Sequence, residues 1–416
     1  MEKIKAPKGT HDIFYPEVEK WQFLETRIRE FFGNLFYKEI RTPIFEHTEL
    51  FNRGIGDSTD VVQKEMYTFE DKAGRSITLR PENTASVVRA LIENNLFNID
   101  YPLRYYYIGP MFRYDKPQKG RFRQFHQFGI EVFGSNEPEL DAEVILSSYE
   151  FLKLIGIDDI NLEINSVGCS SCRKDYVEKL RKVAKENQDN LCDDCKRKID
   201  TNPLRIFDCK NEMCRKTSEK FPLITDNLCD SCNEHFNKTK DSLDRLGVKY
   251  EVNKRLVRGL DYYTRTAFEI TSSKLGSQNA LLGGGRYSNL VKEIGGPDIE
   301  GIGFAAGIER LLLHLDNVDI KKKKSVFIAY QDKELLDYSI DIFKTLLKNN
   351  KKVYMEYGVK NFKKQLKRAN KVNADFTFII GEDEVKDDMI TIKDMKEFKQ
   401  IKIKKKELID WIKENL

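Results

Sequence analysis

Gly109-Pro110-Met111-Phe112-Arg113-Tyr114-Asp115-Lys116-Pro117-Gln118-Lys119-Gly120-Arg121-Phe122-Arg123-Gln124-Phe125-His126-Gln127-Phe128-Gly129-Ile130-Glu131 is the stretch from which the fold is read. Two aromatic and β-branched runs, 103–112 and 122–133, flank the polar, turn-forming segment 115–120, and this pattern predicts an antiparallel hairpin. Strand side chains alternate between faces, so Arg123, Gln127 and Glu131 project together while Phe128, Ile130 and Val132 face the core. Gln127 and Glu131 then stand roughly 13 Å apart at ~3.3 Å per residue, a span suited to a small ligand. Gly129 leaves space on the ligand face.

Upstream of the hairpin, Trp21, Leu24, Ile28, Phe31, Phe32 and Leu35 recur at helical spacing and predict an amphipathic helix. Downstream, the cysteine-rich, polar region 168–236 interrupts the pattern. Glycine-punctuated strands return over 255–315 and end in a helix-like segment, 308–315. After the run Lys321, Lys322, Lys323, Lys324, the chain alternates again. Segments 325–330, 352–357 and 376–380 read as strands, and 337–348 and the basic 362–370 as helices. Such alternation predicts a small α/β domain with a mostly parallel sheet.

With 416 residues the chain has room for two or three domains, and 40% hydrophobic residues suffice for a sizeable core. No apolar run approaches the ~18 residues of a spanning helix, and residues 1–10 hold no signal-peptide stretch. A protein of the cytoplasm, away from membranes, is expected. Net charge is only +4, from 71 basic and 67 acidic residues, so charge alone does not indicate nucleic-acid binding. The basic stretches 321–324 and 396–406 read as solvated faces or a linker.

There is no G-x-x-x-x-G-K-[ST] loop. Gly283-Gly284-Gly285-Arg286-Tyr287 is glycine-rich but wrongly spaced for that loop or for a dinucleotide fingerprint. An ATP site must therefore be built from arginines on a sheet, because the guanidinium fork pairs with phosphate and carboxylate in bidentate fashion.

Phe112-Arg113, the loop, and Arg121-Phe122-Arg123-Gln124-Phe125 resemble motif 2 of the class II aminoacyl-tRNA synthetases. The segment from Gly301-Ile302-Gly303-Phe304 to Glu309-Arg310-Leu311 resembles motif 3, and Pro43 within Arg41-Thr42-Pro43-Ile44 resembles the motif 1 proline of the dimer interface. Class I signatures are missing. Leu256-Val257-Arg258-Gly259-Leu260-Asp261-Tyr262-Tyr263 and Leu282-Gly283-Gly284-Gly285-Arg286-Tyr287 resemble the two histidine-specific signatures of histidyl-tRNA synthetases. Lys8-Gly9-Thr10-His11-Asp12 and Arg80-Pro81-Glu82-Asn83-Thr84-Ala85 are similar to the same family.

The resemblance implies an α+β class II catalytic domain, an antiparallel sheet flanked by helices, over 1–167 and 250–320. It implies an insertion domain over 168–249 and a C-terminal α/β anticodon-binding domain over 325–416. It further implies a histidine–tRNA ligase acting on L-histidine, ATP with Mg²⁺ and tRNA(His), as a homodimer. Arg113 and Arg258 would then be catalytic, with Arg113, Arg121 and Arg310 holding ATP. Glu82, Asn83, Thr84, Arg113, Gln127, Glu131, Arg258, Tyr262 and Tyr263 would form the histidine pocket, with Glu131 and Tyr263 reading the imidazole ring. Lys116 and Gln118 would approach the tRNA acceptor end. Lys116 replaces an arginine common in bacterial relatives, which keeps the charge and loses the fork. On the C-terminal domain, Lys363, Lys364, Lys367 and Arg368 form a phosphate-contacting face or a solvated helix.

All eight cysteines fall in the insertion, as Cys169/Cys172, Cys192/Cys195, Cys209/Cys214 and Cys229/Cys232. Four pairs at this spacing can fill two tetrahedral Cys₄ zinc sites, and a set of reduced, partly buried thiols is the alternative. One further alternative concerns function. A paralogue of this family serves as a regulatory subunit of ATP phosphoribosyltransferase, but it lacks the Arg258-to-Tyr263 signature and the C-terminal domain.

Overall fold

The predicted hairpin forms, its second strand starting at 124 rather than 122: Leu103–Phe112 pairs with Gln124–Phe133, Leu103 opposite Phe133 and Phe112 opposite Gln124. The computed structural model describes every residue except 1–2, 57–58, 100, 119, 276–278, 316–322 and 359–360. Lys321 and Lys322 of the basic run, and the end of the second catalytic segment, therefore lie outside the described residues. The chain divides into two compact units, Met1–Val318 and Asp319–Leu416.

In the first unit the hairpin lies within an eight-stranded sheet. Beyond Gln124–Phe133 come Gly301–Gly307, Ala280–Tyr287, Thr264–Thr271 and Asn161–Ser166, each antiparallel to the last. Two-residue strands, Lys38–Glu39 and Glu251–Val252, pair parallel at the edges. The helix predicted near the N-terminus spans Glu17–Asn34 and buries Trp21, Leu24, Ile28 and Phe32. It lies on the sheet face carrying Phe128, Ile130, Val132 and Phe304, which with helix Pro138–Leu154 makes the main core. The opposite face is covered by helix Thr84–Glu93 and by the aromatic residues Tyr107, Tyr262, Tyr263 and Tyr287. The strand-to-helix segment after Gly307 is shorter than its apolar pattern suggests, with helix only over Ile308–Leu312.

The insertion is helical: Ser170–Glu186, Asp193–Thr201, Glu212–Ser218 and Asp230–Arg245. It has a core of its own, in which Cys172, Cys195, Cys214 and Cys232 stand beside Tyr176, Leu180 and Ile199. Its last helix departs from a self-contained domain, because Phe236 and Leu243 belong to the main core. A buried network anchors that helix. Asp141 accepts from Arg286 Nε at 3.0 Å and lies 2.8 Å from His235 Nε2, while Arg286 Nη1 reaches Glu300 and the carbonyl of Ser135. Burial pushes the Asp141 carboxyl up, but the Arg286 charge and the His235 bond outweigh it and hold it below the usual range.

In the second unit the sheet order is Lys352–Met355, Ser325–Tyr330, Phe376–Ile380, Met389–Asp394, Gln400–Lys404. The first two pairings are parallel and the last two antiparallel, so the sheet is mixed rather than mostly parallel. The basic stretch 396–406 conceals the difference: it contains an edge strand whose lysines face solvent, a common way of guarding an edge. The strand read as 352–357 stops at Met355. Among the described residues no helix is long and apolar enough to cross a membrane.

Removing the cation of the buried network should be severe. Arg286→Met leaves Asp141 charged and under-compensated, and urea unfolding should show a loss of roughly 3–5 kcal/mol. A loss below about 1 kcal/mol, the range of an ordinary surface change, would contradict this account.

Candidate active site

The pocket face of the sheet collects the polar residues singled out from the sequence. Glu131 is buried, and its carboxylate accepts from Thr84 Oγ1 at 2.7 Å and from the Tyr287 hydroxyl. A Cβ at position 303 on the next strand would overlap that carboxylate, so glycine is required for the close approach. Gly129 acts differently from the sequence reading. The space it leaves is taken by the Tyr107 hydroxyl and the carbonyl of Phe304 rather than kept open for a ligand. Burial pushes the Glu131 carboxyl up to about 8 despite its two donors, with Glu82 adding repulsion.

Glu82 is also buried. Its two oxygens accept from the backbone N–H groups of Thr84 (2.7 Å) and Ala85 (2.9 Å), closing the N-terminus of helix Thr84–Glu93. Burial still raises its pKa. Asn83 turns elsewhere: its Oδ1 accepts from Thr42 at 2.8 Å and from Arg80 at 3.1 Å, tying the helix start to the motif 1 segment. Tyr262 and Tyr263 are buried side by side with ring centroids 4.6 Å apart.

Arg258 pairs with Glu269 on the strand Thr264–Thr271. Its guanidinium lies where a Cβ of residue 283 would be, which explains one glycine of the 283–285 run. Burial lowers the Arg258 pKa, but Glu269 outweighs it and holds the group above its ordinary value. The Nε of Arg258 and the Oε1 of Gln127 are buried and have no hydrogen-bond partner among the described residues. Buried polar atoms are rarely left so, and a donor and an acceptor here fit a zwitterionic ligand.

Arg113, Arg121 and Arg310 form a second cationic group. Arg113 donates through Nε to the carbonyl of Pro81 at 2.9 Å and lies over the Phe125 ring. Arg121 pairs with Asp115. Arg310 donates to the carbonyl of Ala280 at 2.7 Å. Burial and then the charge of Arg121 push the Arg310 pKa down, with Arg113 adding to the repulsion. Cations brought together against their own repulsion make an anion site. Lys116 and Gln118 are exposed on the hairpin loop, outside this group.

The chain is matched over residues 9–200 and 210–311 by the family profile described as Histidyl-tRNA synthetase. The chain belongs to that family. Residues 322–415 match the profile described as Anticodon binding domain. The histidine–tRNA ligase of Halothermothrix orenii is 50% identical over 411 residues, 98% of each chain. That of Clostridioides difficile is 45% identical over 417 residues, 99% of each. The apo S. aureus histidyl-tRNA synthetase crystal structure is 38% identical with a TM-score of 0.84, covering 99% of this chain and 100% of that one. A Bacillus halodurans chain named as an ATP phosphoribosyltransferase regulatory subunit/histidyl-tRNA synthetase is 20% identical with a TM-score of 0.64, a likeness of fold alone.

Within this family frame the insertion brings its cysteines into two nested sets: Cys169, Cys172, Cys229 and Cys232, and Cys192, Cys195, Cys209 and Cys214. In each set all sulfurs lie within 4.8 Å of one another. Cys169, Cys192 and Cys229 each precede a helix, where backbone N–H groups favour a thiolate. Burial raises the Cys169 and Cys192 thiols, yet backbone and sulfhydryl donors outweigh it and bring both to about 7.

Several residues of the site were not assigned from the sequence. Tyr287 lies in the second signature without an evident role, and Tyr107 lies in a tyrosine run that reads as core. Only the register of neighbouring strands brings both to Glu131.

Glu131 has a testable pH signature. Its folded-state pKa exceeds the ordinary 4.5, so the folded protein holds the proton between pH about 4.5 and 8, and stability falls as pH rises through that window. Glu131→Gln removes the penalty, and its stability relative to the native sequence should grow by roughly 4 kcal/mol between pH 4 and pH 9. Denaturant midpoints that run parallel for both proteins across that range would refute the assignment.

Proposed function

We propose that the chain activates L-histidine with ATP to histidyl-adenylate and pyrophosphate, then transfers histidine to tRNA(His). The observation that carries this reading is that a buried acid, Glu131, and the half-buried cation Arg258 both face Tyr263, with the Arg113, Arg121 and Arg310 group nearby. A neutral imidazole carries one donor and one acceptor. The Glu131 carboxyl accepts from the ring N–H through its oxygen and the Tyr263 hydroxyl donates to the other nitrogen. Glu82, Thr84 and Gln127 surround the amino group, Tyr262 lines the pocket, and Asn83 acts as a support through Arg80 and Thr42. A site of such partners rejects ligands that leave them unpaired.

In the first step the histidine carboxylate attacks the α-phosphorus of ATP, a new O–P bond forms, and the bond to pyrophosphate breaks. Arg113 binds the α-phosphate, and Arg258 bridges that phosphate and the attacking carboxylate. Arg121 and Arg310 hold the far end of the nucleotide. Two of these arginines already pair with carboxylates, Arg258 with Glu269 and Arg121 with Asp115, so substrate anions enter positions preformed for negative charge. In the second step a terminal ribose hydroxyl of the tRNA attacks the acyl carbon and AMP leaves. No protein nucleophile is needed; positioning and electrostatics suffice.

Mg²⁺ would be held by substrate phosphates with one or two carboxylates, for which Glu65 and Glu269, facing Arg113 and Arg258, are the candidates. The ion supplies neutralisation of phosphate charge. The two cysteine sets are assigned one structural Zn²⁺ each. Tetrahedral Zn–S bonds of ~2.3 Å put sulfurs about 3.8 Å apart, close to the observed grouping. Lys116 and Gln118 face the acceptor end of the tRNA. The exposed Lys363, Lys364 and Lys367 meet phosphates near the anticodon. A homodimer is supported by Ile44 and Phe45, exposed beside Pro43. The substrates place the reaction in the cytoplasm. The regulatory reading is disfavoured by the intact 258–263 signature and by the C-terminal unit.

Exchange of labelled pyrophosphate into ATP should require histidine and fall by about 10²-fold or more in Arg258→Ala. No exchange from folded protein would support the regulatory reading, and exchange with another amino acid would overturn the pocket. Elemental analysis should give two zinc ions per chain, and zinc-free protein with eight titratable thiols would remove the structural-metal assignment.

A further inference from the structure

The cysteine insertion grips the histidine signature from two sides. On one side is Arg173, next to Cys172 in the outer cysteine set. Its guanidinium donates to the carbonyls of Val167 (3.1 Å), Asp261 (3.3 Å) and Tyr263. On the other side is segment 202–206, which follows the helix that begins with the inner Cys192/Cys195 pair. There Arg205 Nη1 donates to the carbonyl of Arg258 at 2.8 Å, and Asn202 Nδ2 to Asp261 Oδ1 at 2.8 Å. The loop carrying Arg258, Tyr262 and Tyr263 is therefore held at its start by the inner set and at its end by the outer set.

Arg173 also faces the outer cysteine set itself. The three acceptors above are neutral carbonyl oxygens. The negative groups facing the guanidinium are Asp261 and the Cys169 sulfur. The outer set is also joined to the strand that follows the loop. Gly168, beside Cys169, accepts from the Arg265 N–H at 2.9 Å, and the Val167 N–H donates to the Arg265 carbonyl at 2.7 Å. A Cβ at residue 168 would press on Cys172.

We propose that the two zinc-loaded cysteine sets of the insertion position the loop Arg258–Tyr263 for histidine, through Arg173 on one side and Asn202 with Arg205 on the other. The insertion thus shapes the amino-acid site as well as any contact it makes with tRNA. Arg173, Asn202 and Arg205 are positioning residues, acting on the reaction only through the loop. This inference rests on the histidine-activating function and on the zinc assignment above.

The experiment uses the full-length protein in tRNA-free pyrophosphate exchange, with zinc content measured on every sample. Removing zinc with a chelator should raise the KM for histidine by on the order of tenfold or more, raise the KM for ATP less, and be reversed by adding zinc back. Arg173→Ala and Arg205→Ala should each reproduce the histidine effect while retaining two zinc ions per chain, and Arg173→Lys should restore part of it. Arg205→Ala keeps the test alive if Arg173→Ala does not fold. Unchanged histidine KM in zinc-retaining variants would overturn the inference and leave the zinc assignment standing. A change confined to the KM for tRNA in aminoacylation would overturn it in favour of a role limited to tRNA. Purified protein without zinc would overturn it together with the metal assignment, and wild-type protein without histidine-dependent exchange would instead overturn the proposed function.

Discussion

The constraint on which the site depends is steric. An antiparallel sheet places neighbouring strands about 4.8 Å apart, too close for large charged side chains to lie flat between them if every residue carries a Cβ. Glu131 and Arg258 lie flat in this way, against Gly303 and Gly283 respectively. The glycines of the neighbouring strands are therefore a mould for a buried acid and a half-buried cation. That mould would be useless without donors, and Thr84 and Tyr287 supply them to Glu131.

The electrostatics follow from the same burial. Water is excluded from the pocket face by Tyr107, Tyr262, Tyr263 and Tyr287, so each charge is left to its protein partners. Glu131 has only hydroxyl donors and its carboxyl rises, whereas Arg258 has Glu269 and stays firmly charged. The two ends of the proposed site thus differ in character: one end holds a carboxyl with a raised pKa, the other a permanent cation beside further arginines.

Farther out, the buried Asp141 network carries the same logic into the scaffold. It joins helix Pro138–Leu154, the strand of the second signature and the last helix of the insertion around one carboxylate. Arg286, at the end of the glycine-rich run 283–285, is a scaffold cation, while its neighbour Tyr287 faces the pocket. Alternation along one strand sends adjacent signature residues to opposite duties.

The sequence alone determined the hairpin, its two faces and the C-terminal strands 325–330 and 376–380, because local alternation and turn residues act over a few positions. Motif spacing also determined the family, since Arg113, Arg258 and Arg310 stand in recognisable contexts. The paired cysteine spacing announced ligand sets, yet four pairs allow several combinations. Only the folded chain brought Cys169/Cys172 to Cys229/Cys232 and Cys192/Cys195 to Cys209/Cys214. Tertiary structure likewise decided that Asn83 turns to Arg80, that Tyr287 serves Glu131, and that the C-terminal sheet is mixed. These outcomes depend on strand register and on contacts between residues far apart in the chain, which no local pattern encodes.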